Sequence, residues 1–83
     1  MSKILKNTTL SDIELDALGW EIPASGQTTV PEEKYLLLSS EDSITELTPL
    51  INSGDVVVND GTQDLAASEG IAYLKYPDNA ANI

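Results

Sequence analysis

Asp12, Ile13, Glu14, Leu15, Asp16 and Ala17 alternate polar with apolar, the strictest pattern in the chain. Successive side chains of a strand point to opposite faces, so this stretch specifies a β-strand with one face buried and one wet. Such a strand needs a neighbour to complete its hydrogen bonds. Gly19 then permits a bend or bulge, Trp20, Glu21 and Ile22 resume the alternation, and Pro23 stops it. Residues 23–27 contain Pro, Ser and Gly and read as a turn that joins residues 20–22 to a short strand at residues 28–30 as a hairpin.

Upstream, residues 3–9 set Ile4 and Leu5 between Lys3 and Lys6 and end in Asn7, Thr8 and Thr9, a composition suited to an edge strand or an extended arm. Downstream, Pro31, Glu32 and Glu33 suit the opening of a helical turn, while Tyr35, Leu36, Leu37 and Leu38 fit a buried strand equally well; the strand is preferred. Ile44, Leu47 and Leu50 or Ile51 share one face of a short helix, and Ser43 with Glu46 has capping-box spacing. Pro49 would remove an interior hydrogen bond, so this helix is expected to end within residues 48–53, with Gly54 beyond it.

Val56, Val57 and Val58 lead through Asn59 into Asp60-Gly61 and on to residues 62–65, a hairpin signal. A last helix is expected over residues 67–76, with Ile71, Leu74 and either Ala67 or Ala72 on one face, weakened at Gly70 by about 1 kcal/mol relative to Ala. The sum is a small α+β domain of mostly antiparallel β hairpins with one or two short helices. It spans residues 1–76 as a single unit, with residues 77–83 expected as a flexible C-terminal tail.

At 83 residues one domain is expected, and its core must be built from Leu, Ile, Val and Ala, because the chain has no Phe, one Trp and three Tyr. A chain this short hides only roughly two-thirds of the surface its unfolded form exposes. Scaffolds of about this size commonly gain stability from a partner or from copies of themselves, so a homo-oligomer or multi-copy assembly is expected.

Fourteen Asp plus Glu against four Lys, with no Arg or His, give a formal charge of -10. Neutralising phosphates takes clustered cations, so nucleic acid is not an expected partner. Without Cys or His the chain lacks the usual zinc ligands, a thiol nucleophile, an imidazole base and any disulfide, and neither enzyme activity nor a cofactor or metal is expected. No apolar run, Tyr35 to Leu38 included, approaches the roughly 20 residues a membrane span requires, and no signal-peptide apolar region opens the chain. A soluble, unprocessed protein without a membrane partner is the expectation.

The carboxylates lie in turns and at alternating strand positions, as charges on a solvated face do, rather than paired as acid and base. Asp55, Asn59, Asp60 and Asp64 gather around Gly61 but miss the oxygen order and terminal Glu of an EF-hand, so a hairpin tip is expected there. Trp20, the only indole, reads either as a core filler or as a contact anchor, and Tyr35, Tyr73 and Tyr76 divide the same way. Ile4 and Leu5 complete the interface candidates, because an exposed edge strand can extend a neighbour's sheet.

Three stretches carry a family likeness: Met1-Ser2-Lys3-Ile4-Leu5-Lys6-Asn7-Thr8; Ile22-Pro23-Ala24-Ser25-Gly26-Gln27 leading to Tyr35-Leu36-Leu37; and Val57-Val58-Asn59-Asp60-Gly61-Thr62 with Asp64-Leu65. Together, over roughly residues 1 to 75, they resemble the N-terminal module of structural proteins in tailed-bacteriophage virions, of the head-fibre, decoration or tail-accessory kind. The resemblance implies a β-rich module, made in the bacterial host cytoplasm and located in the virion. It would dock in several copies on capsid, neck or tail proteins, often ahead of a longer distal portion. With the sequence stopping at Ile83, it points to a free-standing decoration, connector or fibre-anchoring piece, and it transfers no catalytic residue. The expected function is thus a non-enzymatic virion structural protein. The alternative, raised by the charge, is an acidic inhibitor or DNA mimic that binds a basic groove of a host enzyme.

Overall fold

In the computed structural model, which describes residues 2–75, the alternating stretch forms β2 (Ile13–Leu15). It pairs antiparallel with β3 (Trp20–Ile22), placing Leu15 opposite Trp20 and Ile13 opposite Ile22. β2 is shorter than its alternation because the chain turns straight after it: Leu18 N donates to Leu15 O at 3.1 Å, and Gly19, at φ 62°, donates to Asp16 O at 3.2 Å. The turn carries Leu18 into the core beside Leu15.

A second, three-stranded sheet holds β4 (Gln27–Val30), β1 (Lys3–Asn7) and β5 (Val56–Asn59), in the order β4-β1-β5 and antiparallel throughout. The expected pairing of residues 20–22 with residues 28–30 is therefore corrected, since β3 joins β2 and β4 joins β1. The linking turn redirects the chain between sheets: Gly26 N bonds Pro23 O, and Ser25, at φ 54°, donates its N–H to Thr9 O.

The edge-strand reading of residues 3–9 is also corrected, because β1 is the central strand. Lys3, Leu5 and Asn7 all point to the covered face and are buried. Their polar tips are satisfied there. Lys3 Nζ donates to Tyr73 O at 2.6 Å, and Asn7 Nδ2 donates to Ser11 O at 2.8 Å and to Ile22 O at 3.1 Å.

Residues 35–38 form a helix, not the preferred strand. Pro31 precedes a 3-10 turn, Glu32–Lys34, which runs directly into α1 (Tyr35–Leu38). Helical geometry divides the leucines, so Leu38 enters the core at 0% exposure while Leu36 and Leu37 face out. α2 (Glu41–Ser53) follows, capped by Ser40 rather than Ser43: Ser40 Oγ accepts from Ser43 N. Glu46 does not return to its own helix N-terminus. Its carboxylate accepts from Asp16 N at 3.0 Å and Ala17 N at 3.1 Å, fixing the β2–β3 turn on α2. The helix passes through Pro49 and ends, as expected, with Gly54 beyond it at φ 85°.

Asp60-Gly61 does turn the chain after β5, with Gly61 at φ 102°. The return arm is not a strand but a single bridge, Asn59 to Asp64, followed by Leu65 N bonding Val58 O at 2.8 Å. α3 (Ala67–Leu74) lies over β5, and Gly70 is what lets it approach: a Cβ there would stand 3.0 Å from Val58 Cβ. Leu5, Leu15, Leu18, Ile22, Val30, Leu38, Leu47, Ile51, Val56, Val58 and Leu74 form one core shared by both sheets and all three α-helices. Each such side chain contributes about 1.5–3 kcal/mol relative to exposure. The small α+β class with antiparallel strands is as expected, with three short α-helices where one or two were anticipated.

Candidate protein-docking surfaces

Two of the aromatic candidates are brought together by α1 and α3. Lys3 Nζ lies 4.4 Å from the centroid of the Tyr73 ring and 5.3 Å from that of Tyr35, so β1 delivers a cation between two aromatic faces. Tyr73 also donates its hydroxyl to Ser2 O at 2.7 Å. Burial pushes the Tyr73 phenol above its ordinary 10.0, with Tyr35 and Asp60 adding in the same direction. Both rings are half-buried and packed on the core, so their first task is internal. Tyr76, the remaining aromatic candidate, lies outside the described residues.

Trp20 is half-buried at the other sheet, where its Nε1 donates to Thr28 Oγ1 at 2.9 Å and Lys34 Nζ lies 5.6 Å from the ring. It is both core filler and surface: the indole packs on the core and lines a shallow cavity of about 290 Å3 with Glu14, Leu15, Asp16, Gly19 and Glu21. Glu14 and Glu21 stand directly opposite each other across β2 and β3, a like-charge pair on the exposed side.

Leu5 is corrected as an interface candidate, being 0% exposed at the middle of the sheet, and Ile4 is half-buried on the sheet's opposite face. Among the described residues, the exposed large apolar side chains are instead Leu10 at 90%, Leu36 at 73% and Leu37 at 41%. Reading residues 35–38 as a strand concealed the latter two. The 3-10 opening signal at Pro31-Glu32-Glu33, followed to a helix, would have put them outside.

The cluster at residues 59–64 is a turn held mainly by its own side chains and tied to β1 through Lys6. Asp60 Oδ1 accepts from Thr62 N, Thr62 Oγ1 and Gln63 N; Asn59 Oδ1 accepts from Gly61 N; and Asp64 accepts from Asn59 Nδ2 and Lys6 Nζ. These bonds hold the Asp60 carboxyl below its ordinary value, chiefly through Thr62, and the Asp64 carboxyl likewise, chiefly through Asn59. Among the described residues no group of His, Cys, Asp or Glu is placed to hold a metal ion, and no helix is long and apolar enough to cross a membrane.

The strand edges differ in how they are closed. Backbone groups of Gly26, Thr28 and Val30 face β1, because Asn7 N bonds Gly26 O at 2.8 Å and the register carries that alternation along β4. Those of Gln27 and Thr29 face outward, where, among the described residues, no strand lies. β5 differs, since Leu65 and the Asn59–Asp64 bridge cover part of its outer edge. No protein-family model matches this chain, and no match was found among the curated proteins or the solved structures.

Proposed function

We propose that this chain is a non-enzymatic structural component of a tailed-phage virion, docking on capsid, neck or tail proteins as a decoration, connector or fibre-anchoring module. The resemblance of three of its stretches to such modules supplies the class. The observation that carries the docking role is the pair Leu36 and Leu37, exposed on a helical turn whose neighbours Tyr35 and Leu38 are anchored in the domain. Apolar side chains held out on an anchored element lose little conformational freedom when covered, which favours contact by burial. The net charge of -10 keeps free copies soluble until they dock. Docking through β1 is not part of the proposal, because both its edges are occupied.

Co-sedimentation of the tagged protein with assembled particles tests this. Wild type should pellet with particles, and Leu36→Glu/Leu37→Glu, which alters only exposed positions, should keep its fold and lose that association. Unchanged pelleting of the double variant would remove α1 from the docking role, and no pelleting of the wild type would overturn the proposal.

A second reading, the acidic inhibitor or DNA mimic, is favoured by the opposed Glu14 and Glu21 with Asp16 nearby, a cross-strand repulsion that a basic partner would relieve. Salt separates the two. A mimic is released from its basic groove as salt rises, whereas contact through Leu36 and Leu37 persists.

A further inference from the structure

We infer that two copies of this chain join edge to edge through β4, antiparallel about a two-fold axis at Thr28, to make one continuous six-stranded sheet. This deepens the docking-module reading by naming the contact between copies, and it fails separately from it, since particle association and solution mass are independent readouts.

Of the five strands among the described residues, four are shielded from edge pairing. β1 is paired on both sides, and β5 is partly covered by the chain at residues 64–65. β2 and β3 are three residues long, and each carries a glutamate at its centre, the kind of charge that protects an edge. β4 has no such guard. Gln27, Thr28, Thr29 and Val30 are uncharged, contain no proline and no bulge, and pair with β1 in unbroken register. Among the described residues, the outward N–H and C=O of Gln27 and Thr29 have no protein partner, and both residues are exposed.

A second copy fits this edge better than an arbitrary strand does, because the edge is complementary to itself. With Thr28 opposite Thr28 of the second copy, Gln27 of each strand stands opposite Thr29 of the other. Every outward backbone group of both strands then exchanges a hydrogen bond. The next pair on either side is Gly26 with Val30, so no carboxylate faces a carboxylate within the paired stretch, and Pro31 ends it. A Thr–Thr pair at the axis is among the favourable cross-strand combinations. Trp20, bonded to Thr28 Oγ1, is carried to the same axis in each copy.

The repulsion between two chains of charge -10 lies outside the paired strands and is screened by salt. Sedimentation or light scattering of the intact protein should show mass rising from 8.9 kDa toward twice that with concentration, and more readily at higher salt. Thr29→Pro removes an N–H that makes no internal bond, so it should leave the circular dichroism unchanged and abolish the dimer. Amide exchange of the wild type guards against a misfolded variant: Gln27 and Thr29 should be protected at dimer concentrations and exchange freely on dilution. In this cysteine-free chain, Thr28→Cys should oxidise to a disulfide-linked dimer, since an opposed non-hydrogen-bonded pair brings Cα atoms to about 4.5 Å. A monomer at every concentration and salt would overturn the inference, as would a dimer in which Gln27 and Thr29 stay unprotected.

Discussion

β1 and β4 lie side by side in one sheet and use their polar groups in opposite ways. β1 carries Lys3, Lys6 and Asn7 and sits at the centre, with Lys3 and Asn7 turned inward and each polar tip bonded. β4 carries no charge and sits at the edge, with half of its backbone groups turned to solvent. Polarity therefore does not place a strand in this molecule. What decides is whether the far end of each polar side chain finds a partner: the Lys3 stem packs along the core while its ammonium reaches the Tyr73 carbonyl and two rings.

The sharpest way to break this comparison is to place proline in each strand. Leu5→Pro removes both a ladder hydrogen bond and a fully buried side chain, and large-to-small losses at such sites alone cost about 2–5 kcal/mol. That is a large share of the stability of a domain this size, so the variant should be unfolded by circular dichroism at room temperature. Thr29→Pro should be folded, with a urea midpoint close to wild type at concentrations where both are monomeric. Equal damage from the two prolines would mean that β4 is as internally committed as β1.

Smaller, but aimed at the same contrast, is the removal of the Lys3 cation. Lys3→Ala should lower stability by about 3 kcal/mol, combining lost stem packing with a desolvated cation–π contact and a charge-assisted hydrogen bond. Lys3→Met retains most of the stem and should lose about half as much, read from the urea midpoint, because replacing a buried charge by an apolar side chain recovers part of its desolvation cost. A methionine variant more stable than wild type would show that the charge is tolerated in β1 rather than required.

Much of the fold was legible where local chemistry and tertiary packing agree. The alternation at β2 and β3, the valine run of β5, the Asp60-Gly61 turn and the Gly54 stop are each fixed by residues adjacent in sequence. Illegible were features decided by a distant group. Glu46 has capping-box spacing with Ser43, but two turn amides some 30 residues upstream donate to its carboxylate instead. Gly70 reads as a weak point in a helix and is instead the site where α3 meets Val58. Lys3 advertises an edge until Tyr73, 70 residues later, supplies its acceptor. The exposed leucines were missed for a related reason: a run of three leucines looks like core in any one-dimensional reading, and only the helical geometry of α1 turns Leu36 and Leu37 outward.

The smallest effects come from titrating the groups that tie down β1 and the outer edge of β5, while β4 has no group to titrate. Tyr73 ionises less readily in the folded chain than its ordinary 10.0, so the unfolded chain loses the proton first. Its contribution is complete below about pH 10 and disappears as pH rises through the native value. Asp60 and Asp64 are shifted the other way, below 3.8, because Thr62 and Asn59 bond the ionised carboxylates. Their contribution is present above the unfolded value and is lost as pH falls through the native one. Melting temperature followed against pH should therefore fall at both ends, with Tyr73→Phe flattening the alkaline limb and Asp60→Asn the acid limb. Both carboxylates are at the surface, so the acid change is the weaker one. If Asp60→Asn left the acid limb as steep as in wild type, the Asp60 charge would contribute nothing to the turn that closes β5, whose shape the variant's amide oxygen would hold as the same acceptor.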